Sequence, residues 1–138
     1  MLDSGPLISL YDSRDDRGEQ VRATLQKLQE LQYPLCITHL TVAETHTHIL
    51  YNVGYKRALE FLRAITDGSV HVLEIEAKDA IDAIDIIEKY RDQGIAYTDA
   101  VSMSIMKRVG IQTVLSYDHH FWALNFHILP EIYSLRDA

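Results

Sequence analysis

Short apolar segments alternate with longer amphipathic segments along the whole chain. The short segments have the length and apolar character of buried strands, and they fall at residues 34–38, 70–75, 112–116 and 126–129. Parallel strands need a crossover connection, which is usually a helix, whereas antiparallel strands can be joined by a hairpin. The alternation therefore predicts a three-layer α/β/α fold, in which a mostly parallel central sheet is covered on both faces.

Helical spacing of apolar residues predicts the segments that cover this sheet. They are expected at residues 18–31, 41–51, 55–65, 77–90 and 98–108. Thr98 is predicted to cap the last of these helices and Gly110 to end it. The 138 residues have the size of one ordinary domain, so we predict a single domain over residues 1–138.

The predicted helix at 77–90 carries an aliphatic stripe. Five residues share one side of it, namely Ala80, Ile81, Ile84, Ile87 and Tyr90. Such a stripe is either part of the core or a surface on which two copies associate. We expect the protein to be a homodimer.

The charge balance excludes one class of nucleic-acid-binding protein. The chain has 20 acidic and 13 basic residues and a formal charge of −7, which argues against a module that grips phosphates with a broad basic face. Cys36 is the single cysteine, so neither a disulfide framework nor a cysteine zinc site is expected. No apolar run reaches membrane-spanning length, and a cytoplasmic protein is the default expectation.

Four acidic residues fall where predicted strands end or the following helices begin. They are Asp3, Glu44, Asp99 and Asp118. The first of the strands is predicted to be very short, because only Met1 and Leu2 precede Asp3. Functional groups of parallel α/β folds collect beyond the carboxyl ends of the strands, so the four carboxylates are expected at one edge of the sheet. Clustered carboxylates repel one another unless cations neutralise them, and hard oxygen ligands suit Mg²⁺ or Mn²⁺.

The segments around these acids resemble the motifs of the PIN-domain family. The matching segments are Leu-Asp-Ser-Gly-Pro-Leu-Ile at 2–8, Thr-Val-Ala-Glu at 41–44, Tyr-Thr-Asp-Ala at 97–100 and Val-Leu-Ser-Tyr-Asp-His-His-Phe at 114–121. The likeness spans almost the whole chain in the family's order and spacing. Ser4 and Ser116 stand where many relatives carry threonine, so the hydroxyl groups are retained as supporting groups.

The resemblance implies both an activity and a partner. It implies that Asp3, Glu44, Asp99 and Asp118 hold Mg²⁺ or Mn²⁺ and catalyse hydrolysis of RNA. A short chain of this kind looks most like the VapC-type toxins of toxin–antitoxin pairs, which implies a cognate antitoxin. The acidic charge balance suggests that an Arg or Lys side chain of that antitoxin enters the carboxylate pocket.

Each acid also has a purely structural interpretation. Asp3 is suited to capping the helix begun by Pro6, and Asp118 to capping the turn at 118–121. Thr41 and Glu44 fit a capping box, and Asp99 suits the positive end of a helix. These interpretations do not explain why all four acids fall at one sheet edge.

Other polar and aromatic residues have two open interpretations. Glu44 and His48 are four residues apart and share a helix face, so His48 either leans on Glu44 or is a surface residue. The tyrosines Tyr51, Tyr97 and Tyr117 either stack on bases or pack in the protein. The basic pairs Lys56–Arg57 and Lys107–Arg108 either guide RNA or lie on solvated helix faces.

The sequence leaves one serious alternative to a nuclease. A catalytically idle PIN-like binding or regulatory protein would share the same fold, and the short first strand and acidic surface fit it. A phospho-receiver or phosphatase also uses acids at strand ends. It is disfavoured, because no Asp-x-Asp follows the first strand and no lysine lies near the last strand in the expected place.

Overall fold

The computed structural model describes residues 1–130, so residues 131–138 of the predicted domain lie outside the described part. Four short strands form two parallel pairs. β1 (Leu35–Thr38) pairs with β2 (Val70–Leu73), and β3 (Thr113–Leu115) pairs with β4 (His127–Leu129). All four predicted strands are confirmed, although each is shorter than its apolar segment.

The first residues of the chain connect the two strand pairs. The backbone N–H of Leu2 donates to the carbonyl of Cys36 in β1 at 2.7 Å, and the N–H of Leu115 in β3 donates to the carbonyl of Met1 at 2.8 Å. Leu2 also forms a parallel bridge with Leu115. The predicted short first strand is therefore confirmed as a single bridge residue, and it places Asp3 between the ends of β1 and β3.

Six α-helices and two 3₁₀ turns in the described residues cover the strands. The α-helices are α1 (Ser4–Tyr11), α2 (Gly18–Glu30), α3 (His39–Asn52), α4 (Tyr55–Thr66), α5 (Ala77–Lys89) and α6 (Tyr97–Val109), and the 3₁₀ turns are Arg91–Gln93 and His119–Leu124. Apolar residues of α1 to α4 form one core cluster, and those of α5 and α6 form another. The three-layer α/β/α prediction is confirmed.

Two predicted helix starts are wrong. α3 begins at His39, where the Oγ1 of Thr38 accepts a hydrogen bond from the N–H of Thr41 at 3.2 Å. Thr41 is therefore inside the helix, and the capping box proposed for Thr41 and Glu44 does not exist. Likewise α6 begins at Tyr97 after Ala96, so Thr98 is a helix residue rather than a cap. Gly110 ends α6 with φ 80°, as predicted.

The buried side of α5 differs from the predicted stripe. Ala83 and Ile86 are buried, whereas Ile81 is 62% exposed and Ile84 is 59% exposed. The predicted stripe therefore lies partly against the core and partly on the surface, and its two most exposed isoleucines face solvent. Within residues 1–130, no helix is both long enough and apolar enough to cross a bilayer.

Candidate active site

Asp3 is the most buried of the four acids, with only 7% of its surface exposed. It follows the bridge residue Leu2 and caps α1, because its Oδ1 accepts the N–H of Ser4 at 2.9 Å. Its Oδ2 accepts the hydroxyl of Ser116 at 2.6 Å. The structural interpretation of Asp3 as a cap is thus confirmed, and both of its oxygens are held in place at the end of the bridge.

Asp118 is held by the turn that follows β3. Its N–H donates to the Oγ of Ser116 at 2.9 Å, so one serine hydroxyl links Asp3 to Asp118. Its Oδ1 accepts the N–H of His120 at 2.9 Å and lies 2.8 Å from the His120 Nδ1. Asp118 is therefore the predicted cap of the turn at 118–121 and also the partner of an imidazole.

Asp99 lies in the first turn of α6 and connects the other two aspartates. It is half-buried and within hydrogen-bonding reach of both Asp3 and Asp118. The pKa of Asp99 is raised to about 8, mainly by burial and in addition by the negative charges of Asp3, Asp118 and Glu44. At neutral pH this carboxyl group therefore holds a proton in preference to carrying a fourth negative charge.

Glu44 projects from α3 toward the same group of acids. Burial raises its pKa and the charge of Asp3 raises it further, while a hydrogen bond with the Ser4 side chain and the nearby His48 lower it. The contact between Glu44 and Ser4 connects α3 to the start of α1. His48 does lie close enough to influence Glu44, as their shared helix face predicted.

The electrostatics of the group show mutual repulsion among its acids. Burial raises the pKa of Asp3, although hydrogen bonds from Ser116 and Ser4 oppose that rise, and the charge of Asp118 adds to it. For Asp118, burial alone would raise the pKa, but the hydrogen bonds of His120 and Asp99 lower it. The four predicted residues therefore influence one another at one sheet edge, and carboxylate oxygens are the donors that a hard divalent cation prefers.

Two histidines extend this donor set. Ligand atoms of Asp118, His119 and His120 all lie within 4.8 Å of one another, which makes them the one such trio within residues 1–130. The sequence analysis did not single out the contact of His120 with Asp118. The spacing could have predicted this contact, because an aspartate side chain commonly binds the backbone two residues further on, and His120 lies two residues after Asp118.

Most of the basic residues named from the sequence have protein partners or lie on helix surfaces. Arg108 pairs with Asp79 at 2.8 Å, and Arg57 pairs with Glu60 at 2.6 Å. Lys56 and Lys107 are exposed. Among the tyrosines, Tyr51 is 80% exposed and Tyr97 is 48% exposed, whereas Tyr117 is half-buried. The arginines of both basic pairs thus have structural roles, and a broad cationic surface is not formed by them.

Known proteins are similar to this chain in sequence and in fold. Ribonuclease VapC26 of Mycobacterium tuberculosis (strain ATCC 25618 / H37Rv) is 26% identical over 125 residues, which cover 90% of each chain. The crystal structure of Mycobacterium tuberculosis VapC20, a Sarcin-Ricin loop cleaving toxin, is similar with a TM-score of 0.79 at 21% sequence identity. That similarity covers 91% of this chain and 94% of the VapC20 chain. Residues 1–126, most of the chain, match the family model described as PIN domain, and the chain therefore belongs to the PIN-domain family.

Proposed function

We propose that this protein is a divalent-metal-dependent endoribonuclease that hydrolyses RNA phosphodiester bonds. The observation that carries the proposal is the group of four acids in which the pKa of Asp99 is raised to about 8. A protein that stabilised its fold alone would gain nothing from this repulsion, whereas a divalent cation relieves it. The name of the similar ribonuclease from Mycobacterium tuberculosis supports the same reaction.

In this proposal Asp3, Glu44, Asp99 and Asp118 hold Mg²⁺ or Mn²⁺. When bound, such an ion activates water and stabilises charge that develops at phosphorus. The chain itself supplies the orientation: Ser116 and Ser4 fix the two oxygens of Asp3, and His120 fixes Asp118. Because the pKa of Asp99 is raised to about 8, this carboxyl group would have to lose a proton in order to hold the ion at neutral pH.

RNA cleavage by purified protein tests the proposal directly. The parent protein should cut a mixed RNA pool when Mn²⁺ or Mg²⁺ is present and should stop when EDTA removes the ion. Asp99→Asn should lose at least about a hundredfold in rate, or roughly 2.7 kcal/mol of barrier. No cleavage by the well-folded parent under any of these conditions would favour the alternative of a catalytically idle binding protein.

The biological role in the proposal is that of a toxin held in check by an antitoxin. VapC20 is a toxin and has the same fold, which motivates the partner. A cationic side chain of the antitoxin would be stabilised by the four carboxylates. Co-purification with the product of the neighbouring gene, followed by a test of whether that product inhibits cleavage, examines this role separately from nuclease activity.

The proposal also includes a homodimer that associates through α5. Ile81 and Ile84 are exposed three residues apart on one helix face, and a two-fold interface uses the same patch on both copies. Ile84→Glu should shift the mass measured by light scattering toward the monomer while the protein remains folded. The matched control is Leu31→Glu immediately after α2, where the leucine is 55% exposed. Equal masses for the parent and Ile84→Glu would remove α5 from the interface.

A further inference from the structure

Tyr117 stands between Ser116 and Asp118, and its side chain is held on three sides. Its hydroxyl donates a hydrogen bond to the Oγ of Ser9 at 2.9 Å. The guanidinium carbon of Arg17 lies 4.2 Å from the centre of its ring. The ring edge lies against Gly5, where an added Cβ would be only 3.0 Å from the Tyr117 Cδ2.

The groups that hold this ring are themselves fixed. Ser9 is 1% exposed, and its hydroxyl donates to the Oδ2 of Asp15 at 2.7 Å. Arg17 is paired with the same carboxylate at 2.8 Å. The start of α2 packs directly on α1, because a Cβ at Gly18 would lie 2.6 Å from the carbonyl oxygen of Ser9. The ring therefore rests against α1 and the loop that joins it to α2.

The two neighbours of Tyr117 control the spacing of the site carboxylates. The hydroxyl of Ser116 donates to Asp3 at 2.6 Å and accepts the N–H of Asp118 at 2.9 Å. A shift of the backbone at residue 117 would move both of these bonds. We propose that Tyr117 is a positioning residue, whose ring is held by Ser9, Arg17 and Gly5 so that Asp3 and Asp118 stay correctly placed.

This inference rests on the proposed function for its effect on metal binding and cleavage, but its structural part is independent of that function. The competing interpretation is that Tyr117 only stabilises the fold, as a half-buried tyrosine commonly does. The two interpretations differ in what a substitution changes. A positioning role affects the segment 116–120 and the metal affinity at temperatures where the protein is fully folded, whereas a stabilising role affects only the unfolding equilibrium.

The effect of Gly5→Ala is expected to depend on whether the Tyr117 ring is present. Alanine is normally favoured over glycine inside a helix, so Gly5→Ala should by itself stabilise α1. In the parent, however, the added Cβ would contact the ring of Tyr117, which Ser9 and Arg17 hold in place. Gly5→Ala should therefore weaken Mn²⁺ binding in the parent, whereas in Tyr117→Ala it should raise the melting temperature and leave Mn²⁺ affinity unchanged.

The experiment compares Tyr117→Phe, Tyr117→Ala and Gly5→Ala with Tyr55→Ala, a control at a tyrosine that is 72% exposed on α4. Amide hydrogen exchange is followed by NMR in the metal-free protein, and Mn²⁺ affinity is measured by calorimetry. In Tyr117→Ala, the amides of Asp118 and His120 should exchange about tenfold faster than in the parent. Mn²⁺ should bind about tenfold more weakly than in the parent, which is the size of effect seen when groups that orient metal ligands are lost. Tyr117→Phe keeps the Arg17 and Gly5 contacts and should stay within about threefold of the parent.

The outcomes separate this inference from the proposed function. Exchange at residues 118 and 120 needs neither metal nor RNA, so it decides the role of Tyr117 even for a parent protein that fails to bind Mn²⁺ or to cut RNA. Unchanged exchange at these amides in Tyr117→Ala would overturn the positioning role. So would a lower melting temperature together with an unchanged Mn²⁺ affinity in a parent protein that binds the ion.

Discussion

Glu44 is the residue whose two interpretations the structure separates most clearly. Thr38 caps α3, so Glu44 lies beyond the first turn and contributes nothing as a cap. Glu44→Gln should therefore change the free energy of unfolding by no more than about 0.5 kcal/mol, as is usual for surface positions. The amide loses the charge that holds a hard cation, so RNA cleavage should fall at least about a hundredfold, or roughly 2.7 kcal/mol of barrier.

The control for this substitution is Glu88→Gln on α5, which makes the same chemical change at another exposed glutamate. Melting temperature and cleavage rate are measured on the same preparations at saturating Mg²⁺ and Mn²⁺. Glu88→Gln should match the parent in both. A Glu44→Gln protein that cuts RNA as fast as the parent would require a site built from the three aspartates alone.

Asp99 makes the stability of the metal-free protein depend on pH. Its pKa is about 8 in the folded protein, while an unfolded aspartate titrates near 3.9. Between these values the folded state binds more protons than the unfolded state, so its stability falls as pH rises from about 4 to about 8. The raised pKa values of Asp3 and Glu44 act in the same direction.

Urea unfolding in EDTA between pH 5 and pH 8.5 measures this dependence. Asp99→Asn cannot titrate at this position, so its stability should exceed that of the parent by a margin that grows with pH. The two proteins should converge toward the acid end of the range. A stability difference between Asp99→Asn and the parent that stays constant across this pH range would show that ionisation of Asp99 does not destabilise the folded protein.

At the residue scale, the sequence singled out four candidate acids but not the interactions among them. Their order and their position after strands place them at one edge, because parallel strands all end there. The raised pKa of Asp99 depends on its burial and on how close its side chain lies to Asp3, Asp118 and Glu44. That proximity arises from the packing of α6, which no local pattern specifies, whereas the contact of His120 with Asp118 follows from their two-residue spacing.

At the scale of elements, a buried ion pair joins α5 to α6. Asp79 is 1% exposed and accepts two hydrogen bonds from Arg108, at 2.8 Å and 3.0 Å. It also accepts the N–H of Glu76 in the capping box of α5. Removal of Arg108 would leave a buried carboxylate without its cation, which is far more costly than the loss of a surface pair.

Arg108→Ala should therefore destabilise the protein by about 2–3 kcal/mol, somewhat below the range for fully buried pairs because the arginine remains partly exposed. Lys107→Ala, at the exposed neighbouring position, is the control and should stay within about 0.5 kcal/mol of the parent. Urea unfolding at pH 7 measures both. If Arg108→Ala were as stable as Lys107→Ala, the pair would be no more than a surface contact.

Apolar periodicity did not predict the buried side of α5 or the first residues of α3 and α6. The apolar residues of α5 occupy more than one side of the helix, so spacing alone did not distinguish the buried Ala83 and Ile86 from the exposed Ile81 and Ile84. The packing of α5 against α6 determines which of these residues are buried. Helix starts failed for a related reason, since Thr38 and Thr41 are equally good caps by residue type.

At the scale of the whole molecule, the parallel order of the strands could be predicted, but the way the sheet is completed could not. Within residues 1–130, Met1–Asp3 joins the two strand pairs, with one backbone hydrogen bond to Cys36 in β1 and three to Thr113 and Leu115 in β3. A segment of this length carries no periodicity from which pairing partners can be inferred. The same hydrogen bonds place Asp3 beside Ser116, so the contacts that complete the sheet also position part of the site.

Divalent cations should consequently stabilise the whole molecule through this edge. The formal charge is −7, and four of the acids meet where the sheet is joined. Mn²⁺ at a hundred times its Kd should add about 2.7 kcal/mol to the free energy of unfolding, which raises the melting temperature by on the order of 10 °C in a domain of this size. Asp99→Asn should lose most of this rise, because a neutral amide replaces the carboxylate that connects Asp3 and Asp118. Equal ionic strength supplied as KCl is the control for general screening. A Mn²⁺ effect that KCl reproduces, or that persists undiminished in Asp99→Asn, would place the stabilising cations elsewhere on the acidic surface.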